Sequence, residues 1–250
     1  MMPTQTRAAS ENPFAVHFPV KEGVVYYAIR GSKRGAKLLY FKDYGEKQLL
    51  VERESSSFMG KGDHGDKVTL ILPDAKYLLD TKHKVAQKIP KLSSELFRLY
   101  QKLSSSKKQK ILSALKQRNG KSLENLDGSC LANARKIAGL PCNEEEKAGR
   151  RICQNGALTL ASEVSILGFT VQSFATKIEV KKVDPALFRL PADFKIVSNQ
   201  KERTDAQKII RRLLSSQPIT PCRKSRSQTE REAGLYEALY EEIHRLSTHF

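Results

Sequence analysis

The sequence predicts an α+β protein: a curved antiparallel β-sheet packing helices on its concave face, followed by a helical C-terminal tail. Three observations predict it. Between Gly23 and Ile89, short β-branched and aromatic runs alternate with turn residues at regular spacing, the pattern of an antiparallel meander. After Pro90 the apolar residues change to helical spacing, at Leu92, Leu96, Leu99 and Leu103 and again at Ile111, Leu112 and Leu115. Near Arg135 strand patterning resumes and runs to about Val183, with Cys142 and Cys153 flanking a charged turn.

In chain order, residues 1–18 read as a flexible lead-in. Residues 24–29 form the first strand, ended by the turn Gly31-Ser-Lys-Arg-Gly35. Residues 37–42 and 48–53 follow, separated by Asp43-Tyr-Gly45. Residues 55–66, rich in Ser and Gly, read as a loop. Residues 67–72, 76–80 and 84–89 complete the meander. Helices are expected at about 93–103 and 106–118, with Ser93 or Ser94 and Ser105 or Ser106 as N-caps and Asn119-Gly120 as the stop. Residues 165–182 read as one long strand. Phe169, Val171, Ser173 and Ala175 share one face, and Thr170, Gln172, Phe174 and Thr176 the other. Neither face is cleanly polar, so both are expected to touch protein. Asp184-Pro-Ala-Leu-Phe188 has an Asp cap and Pro at the first helical position. Residues 204–214 read as a helix, 215–227 as a Pro/Ser/Arg loop and 228–247 as an amphipathic helix. The domains are therefore a lead-in (1–18), a β-rich domain (19–198) with a helical insert at about 90–120, and a basic linker with its helical tail (199–250).

The chain has 250 residues, 39% of them hydrophobic, no Trp and a formal net charge of +17. Such a charge points to an anionic partner, whether nucleic acid, a phospholipid surface or an acidic protein, and is silent about fold. Residues 91–121 carry nine Lys/Arg against one Glu. Lys102, Lys107, Lys108, Lys110, Lys116, Arg118 and Lys121 therefore form the candidate basic surface. Few aromatics interleave with them, and no zinc-finger, RNP or helix-turn-helix pattern appears. A phosphate or lipid-headgroup surface, or an acidic protein, thus outranks nucleic acid.

Cys142 and Cys153 suit a hairpin disulfide in an oxidising compartment; the other reading is two reduced cytosolic cysteines. Cys130 pairs with Cys222 only on the even count. Residues 1–12 are polar, without the apolar segment of a signal peptide, so export is inferred rather than read. His17, His64, His83, His244 and His249 read as solvated. Gly60-Lys-Gly-Asp-His-Gly65 lacks the Gly-Lys-Ser/Thr end of a phosphate loop and reads as a hairpin loop. Glu144-Glu-Glu146 reads as a solvated turn. With no CxxC and no histidines at ligand spacing, no metal or cofactor is expected. With no visible acid, base and nucleophile, neither is an enzyme.

Several short motifs, in order, resemble the DUF4412 domain of exported bacterial proteins: Tyr40-Phe-Lys-Asp-Tyr-Gly45, Tyr77-Leu-Leu-Asp80-Thr-Lys, Ile137-Ala-Gly-Leu-Pro-Cys142, Arg151-Ile-Cys153 with Gly156 and Leu158, and Phe188-x-Leu-Pro191. The resemblance spans about residues 20–197. It implies an exported domain similar in outline to the LolA/LppX lipoprotein-carrier fold, a half-barrel sheet wrapping helices. On this reading the protein is a non-enzymatic periplasmic or otherwise extracytoplasmic envelope protein. It binds an apolar or amphiphilic ligand, a lipid or lipoprotein, between sheet and helices. The gap would be lined by Tyr27, Leu39, Phe41, Leu70, Phe169 and Val171. Peripheral membrane contact is compatible with this reading. The alternatives are a structural subunit docking on a larger envelope complex through the basic face and C-terminal helices, and non-specific nucleic-acid binding.

Overall fold

The computed structural model describes residues 12–15, 17–58, 61–118, 121–198, 201–215 and 217–224. The elements in order are β1 (Gly23–Gly31), β2 (Arg34–Lys42), β3 (Lys47–Phe58), β4 (Lys61–Ile71), β5 (Ala75–Asp80), β6 (Val85–Pro90), α1 (Leu92–Gln101), α2 (Ser105–Gln117), β7 (Ser129–Ile137), β8 (Leu140–Lys147), β9 (Arg150–Asn155), β10 (Leu158–Ile166), β11 (Phe169–Glu179), β12 (Lys195–Ser198), α3 (Lys201–Leu214) and β13 (Arg223–Lys224). Short 3-10 turns lie at Asp43–Gly45, Leu123–Asn125 and Pro185–Phe188.

All thirteen strands belong to one open mixed sheet, ordered β12-β6-β5-β4-β3-β2-β1-β11-β10-β9-β8-β7-β13. Two meanders build it, β1 to β6 and β7 to β11. Antiparallel pairing of β1 with β11 joins them, from Val24 opposite Glu179 to Gly31 opposite Val171. Only the terminal pairs, β12 on β6 and β13 on β7, are parallel.

The sheet has to curve. Nine strands lie between β6 and β7, about 48 Å at the usual inter-strand spacing. Yet α1, α2 and the turn Leu123–Asn125 connect those two strands, α3 packs on β6, and the same turn packs on β8. One helical layer thus reaches both ends. Within the second meander β7 and β11 approach to within 8 Å at Cα although three strands separate them in the ladder.

Residues paired directly across a ladder share a face. Val25, Leu39 and Leu50 form one inner row. Val24, Tyr40, Leu49, Leu70 and Tyr77 form an outer row. The segment before β12 covers the outer face: Val183 and Phe188 pack on Val24, and Leu190 and Phe194 on Leu70, Tyr77 and Ala86. The helices have their own core, Leu96, Ile111, Ala206, Ile210 and Leu213, joined by Phe14, Leu123, Leu126 and Ile219.

Several sequence expectations change. Residues 55–66 are not a loop, because β3 and β4 pair as far as Phe58 opposite Lys61. Beyond Ser55, which pairs with Arg34 at the start of β2, they form a two-stranded ribbon. Ladder bonds use backbone groups, so Ser and Gly weaken such a ribbon without abolishing it. The long strand at 165–182 is broken into β10 and β11 by a two-residue turn at Leu167-Gly168, with φ of 50° and 82°. Strand structure resumes at Ser129, not near Arg135. The N-cap positions belong to Lys91 and Ser104, neither with a side-chain cap bond. The Asp184 cap is present: Ala186 N donates to Asp184 Oδ1 at 2.8 Å. The amphipathic helix expected at 228–247 lies outside the described residues.

Both cysteine pairs are bonded, as in proteins of an oxidising environment. Cys142–Cys153 staples β8 to β9, with Cα atoms 5.4 Å apart. Cys130–Cys222 ties β7 to the segment after α3 and so holds β13 on the sheet edge. The two bonds span 92 and 11 residues. Loop-closure entropy assigns them about 4.5 and about 3 kcal/mol respectively. Replacing Cys130 and Cys222 together by Ser is therefore expected to lower Tm more than replacing Cys142 and Cys153, measured by thermal unfolding of the two double variants.

Candidate ligand site on the inner sheet face

Period-two alternation places Val25 and Tyr27 of β1 and Leu39 and Phe41 of β2 on the inner face, with Leu158 and Leu160 of β10 and Ala175 of β11 completing one buried apolar cluster. The segment preceding β1 lies over it. Phe18 meets Phe41 edge-to-face with ring centroids 5.1 Å apart. Gly45, with φ +87°, makes room for that ring, since a Cβ there would stand 2.7 Å from Phe18. Phe18 N donates to Tyr44 O at 2.8 Å, and Ala157 N to His17 O at 3.2 Å. Four residues earlier Phe14 is buried in the helical core, its ring edge-on to Tyr100 at 5.7 Å, and Asn12 Nδ2 donates to Ser93 O at 3.3 Å. The segment 12–20 is thus a strap with one aromatic ring in each layer, and its described residues carry neither helix nor strand.

The patch has polar edges. The Tyr27 hydroxyl donates to Thr159 O at 2.8 Å, and burial pushes the phenol well above its ordinary range. Lys37, opposite Tyr27 in the ladder and half-buried, holds its Nζ 4.7 Å from the Tyr27 ring centroid. Burial pulls the Lys37 ammonium below its usual range, with the Glu52 carboxylate opposing the shift. Among the described residues no carboxylate lies within ion-pair reach of Lys37. The site therefore combines an apolar floor, an aromatic cover and a half-buried cation at the rim, a chemistry that suits an amphiphile with an anionic head.

Of the six residues expected to line a gap, Tyr27, Leu39 and Phe41 come together here, closed over by Phe18. Leu70 does not: it lies on the outer face beneath Leu190 and Phe194, a correction that follows from its pairing with Leu49. Val171 and Phe169 point to the inner side but sit four and six residues beyond Ala175, the partner of Tyr27, about 13 and 20 Å along the strand. Val171 is half-buried and Phe169 half-exposed at the hairpin end.

The basic surface also divides. Lys102, Lys107, Lys110 and Lys116 are exposed, while Lys108 is half-buried with its Nζ 5.6 Å from the Tyr100 ring. At ~100° per helical residue, Lys116 lies about 120° around α2 from Lys110. Arg118 is half-buried and Lys121 leaves the surface altogether. Arg118 Nη1 donates to Lys121 O at 2.7 Å, and burial lowers its pKa. Lys121 is fully buried, donates from Nζ to Gly128 O at 2.7 Å, and is likewise shifted down by burial, against the attraction of Glu145 and Asp127.

Glu145 is a second correction. It is 1% exposed, not solvated, and accepts from Ser122 N at 2.6 Å and Ser122 Oγ at 2.8 Å. It clasps the loop after α2 to β8 beside the Cys130–Cys222 bond. Its neighbours Glu144 and Glu146 do face solvent cations, pairing with Arg151. His83 Nδ1 lies 2.7 Å from Asp80 Oδ2 on an exposed turn. Among the described residues no group of three metal-ligating side chains converges.

No family model and no curated protein matches the chain.

The raised Tyr27 pKa fixes a pH dependence. The unfolded chain ionises this phenol near pH 10 while the folded chain keeps it neutral, so its contribution is fully present below pH 10 and is lost as pH rises through the folded pKa. Urea unfolding of the wild type is therefore expected to weaken more steeply above pH 10 than that of Tyr27→Phe, Lys37 being common to both. At neutral pH the variant is expected to lose about 1–2 kcal/mol, from the unpaired Thr159 carbonyl.

Proposed function

We propose that the protein is a non-enzymatic extracytoplasmic envelope protein that binds an amphiphilic ligand on the inner sheet face. The ligand's apolar chain lies on Val25, Leu39 and Phe41, and its anionic head meets Lys37. The observation that carries this reading is the strap: an irregular segment, Phe18 above all, occupies the apolar face of a curved sheet where a ligand chain would lie. Binding exchanges one apolar cover for another. Each methylene removed from water contributes ~0.8 kcal/mol, offset by the loss of the Phe18 contacts. The two disulfides and the ordered likeness to DUF4412 domains, with their LolA/LppX outline, support the exported setting.

The second reading is a structural subunit of a larger envelope complex. It draws support from how completely Phe18 closes the core and from the exposed cations Lys102, Lys107, Lys110 and Lys116.

Titration with a fluorescent fatty-acid probe separates the two. Saturable binding is expected. Lys37→Met is expected to weaken an anionic probe about fivefold to tenfold, the scale of a partly buried charge contact, and to leave its uncharged alcohol analogue unchanged. Phe18→Ala is expected to tighten both probes. Absence of saturable binding to wild type and to Phe18→Ala alike would sink the ligand reading and leave the docking subunit.

A further inference from the structure

Three hairpin turns share one rim of the sheet. Ser165 N donates to Gly149 O at 2.9 Å, joining the β10–β11 turn to the β8–β9 turn. Ser32 N donates to Thr170 O at 2.8 Å, joining it to the β1–β2 turn. The central turn projects two aliphatic side chains into solvent: Leu167 is 92% exposed and Ile166 62%.

Neither packing nor backbone chemistry accounts for Leu167. It sits at φ 50° before Gly168 at φ 82°, the two-residue turn that favours Asn, Asp or Gly at its first position. The turns at Ala138-Gly139 and Ala148-Gly149 have nearly the same backbone and carry a small residue there. Of these three turns, only that at 167 has a large aliphatic chain in the first position. Its exposure leaves it without a folding role, and a disfavoured residue at a solvent-facing tip is a reason to look for function.

Cations surround the tip. Arg150 lies opposite Val164, Arg30 opposite Gln172, Lys147 opposite Arg150, and Arg34 begins the strand after the adjoining turn. All four are exposed, and none makes an ion pair among the described residues. The nearby carboxylates are engaged: Glu163 accepts from Gln172, and Glu146 pairs with Arg151.

We propose that this rim is a membrane-contact surface, with Ile166 and Leu167 entering the interface of an anionic phospholipid bilayer while Arg30, Arg34, Lys147 and Arg150 meet its headgroups. A narrow convex tip with aliphatic ends suits a soft interface that has both an apolar phase and anionic charge. Nucleic acid offers the charge without the apolar phase. The proposal does not rest on the ligand site, whose apolar floor of Val25, Leu39 and Phe41 lies towards the Asp43–Gly45 end of β2.

The chain has no Trp, so Leu167→Trp supplies a single indole at the tip. The full chain carrying it is mixed with vesicles of phosphatidylcholine alone or with phosphatidylglycerol added. The emission is expected to shift to the blue, and to be quenched by brominated acyl chains, only on the anionic vesicles. Val180→Trp, 69% exposed just past the other end of β11, is expected not to shift. Leu167→Asn suits the turn backbone and is expected to keep or raise Tm, yet to weaken vesicle binding at least about tenfold, the scale of one buried leucine. Unshifted emission from Leu167→Trp, an equal shift from Val180→Trp, or wild-type vesicle affinity in Leu167→Asn would each overturn the proposal. So would a Leu167→Trp emission shift that follows protein concentration without vesicles, which would assign the tip to a second copy of the chain.

Discussion

The antiparallel pairing of β1 with β11 joins parts of the chain some 150 residues apart, and the rest of the structure depends on it. Each meander is otherwise a series of local hairpins. Their seam turns two small sheets into one and assembles the inner apolar patch from β1 and β2 on one side and β10 and β11 on the other. The Tyr27 hydroxyl reaches Thr159 O across this seam, and the register slips between Tyr26 and Tyr27 at the same place. A bulge increases local twist, so the seam that joins the halves also helps to bend them. Contacts so distant in sequence have a large closure entropy to overcome, which the two-sided burial of β1 offsets.

A long open sheet has two vulnerable edges. Here both are covered by short parallel strands delivered from the last third of the chain, β12 on β6 and β13 on β7. α3 lies between those two strands in sequence and packs on α1, α2 and β6. The helical layer therefore fixes the distance between the sheet's ends, and Cys130–Cys222 makes one end covalent. β11 is buried only at Ala175, and Gln172, Thr176 and Lys177 are exposed, so the expectation that both of its faces touch protein holds only around Ala175.

The charge of +17 does not form one surface. Some of it is internal: Lys121 is fully buried and Arg118 partly so, both bonded to backbone carbonyls. Lys37 sits half-buried beside the inner patch, and several arginines gather at the rim around Leu167. These cations lie in separate settings, so a count along the chain overstates any single patch.

Features that depend on a few neighbouring residues were legible along the chain. Strand periodicity located β1, β2, β5 and β6, helical spacing located α1, α2 and most of α3, the Asp184-Pro185 pair marked the cap of the turn Pro185–Phe188, and the spacing of Cys142 and Cys153 matched a hairpin. It also marked Tyr27, Leu39 and Phe41 as candidate lining. Long-range packing determined which of two faces is inner, and so removed Leu70 from the site. It likewise decided that Phe18 covers the patch, that Lys121 and Glu145 are interior, that Cys130 meets Cys222, and that Leu167 turns the chain. The physical reason is range. Propensity and periodicity act over one turn or one strand, whereas a face, a partner or a burial state is set by ladder register with residues tens to hundreds of positions away. At Leu167 the local signal was reduced to Gly168 alone, because the first turn position is filled by a residue that turn chemistry disfavours.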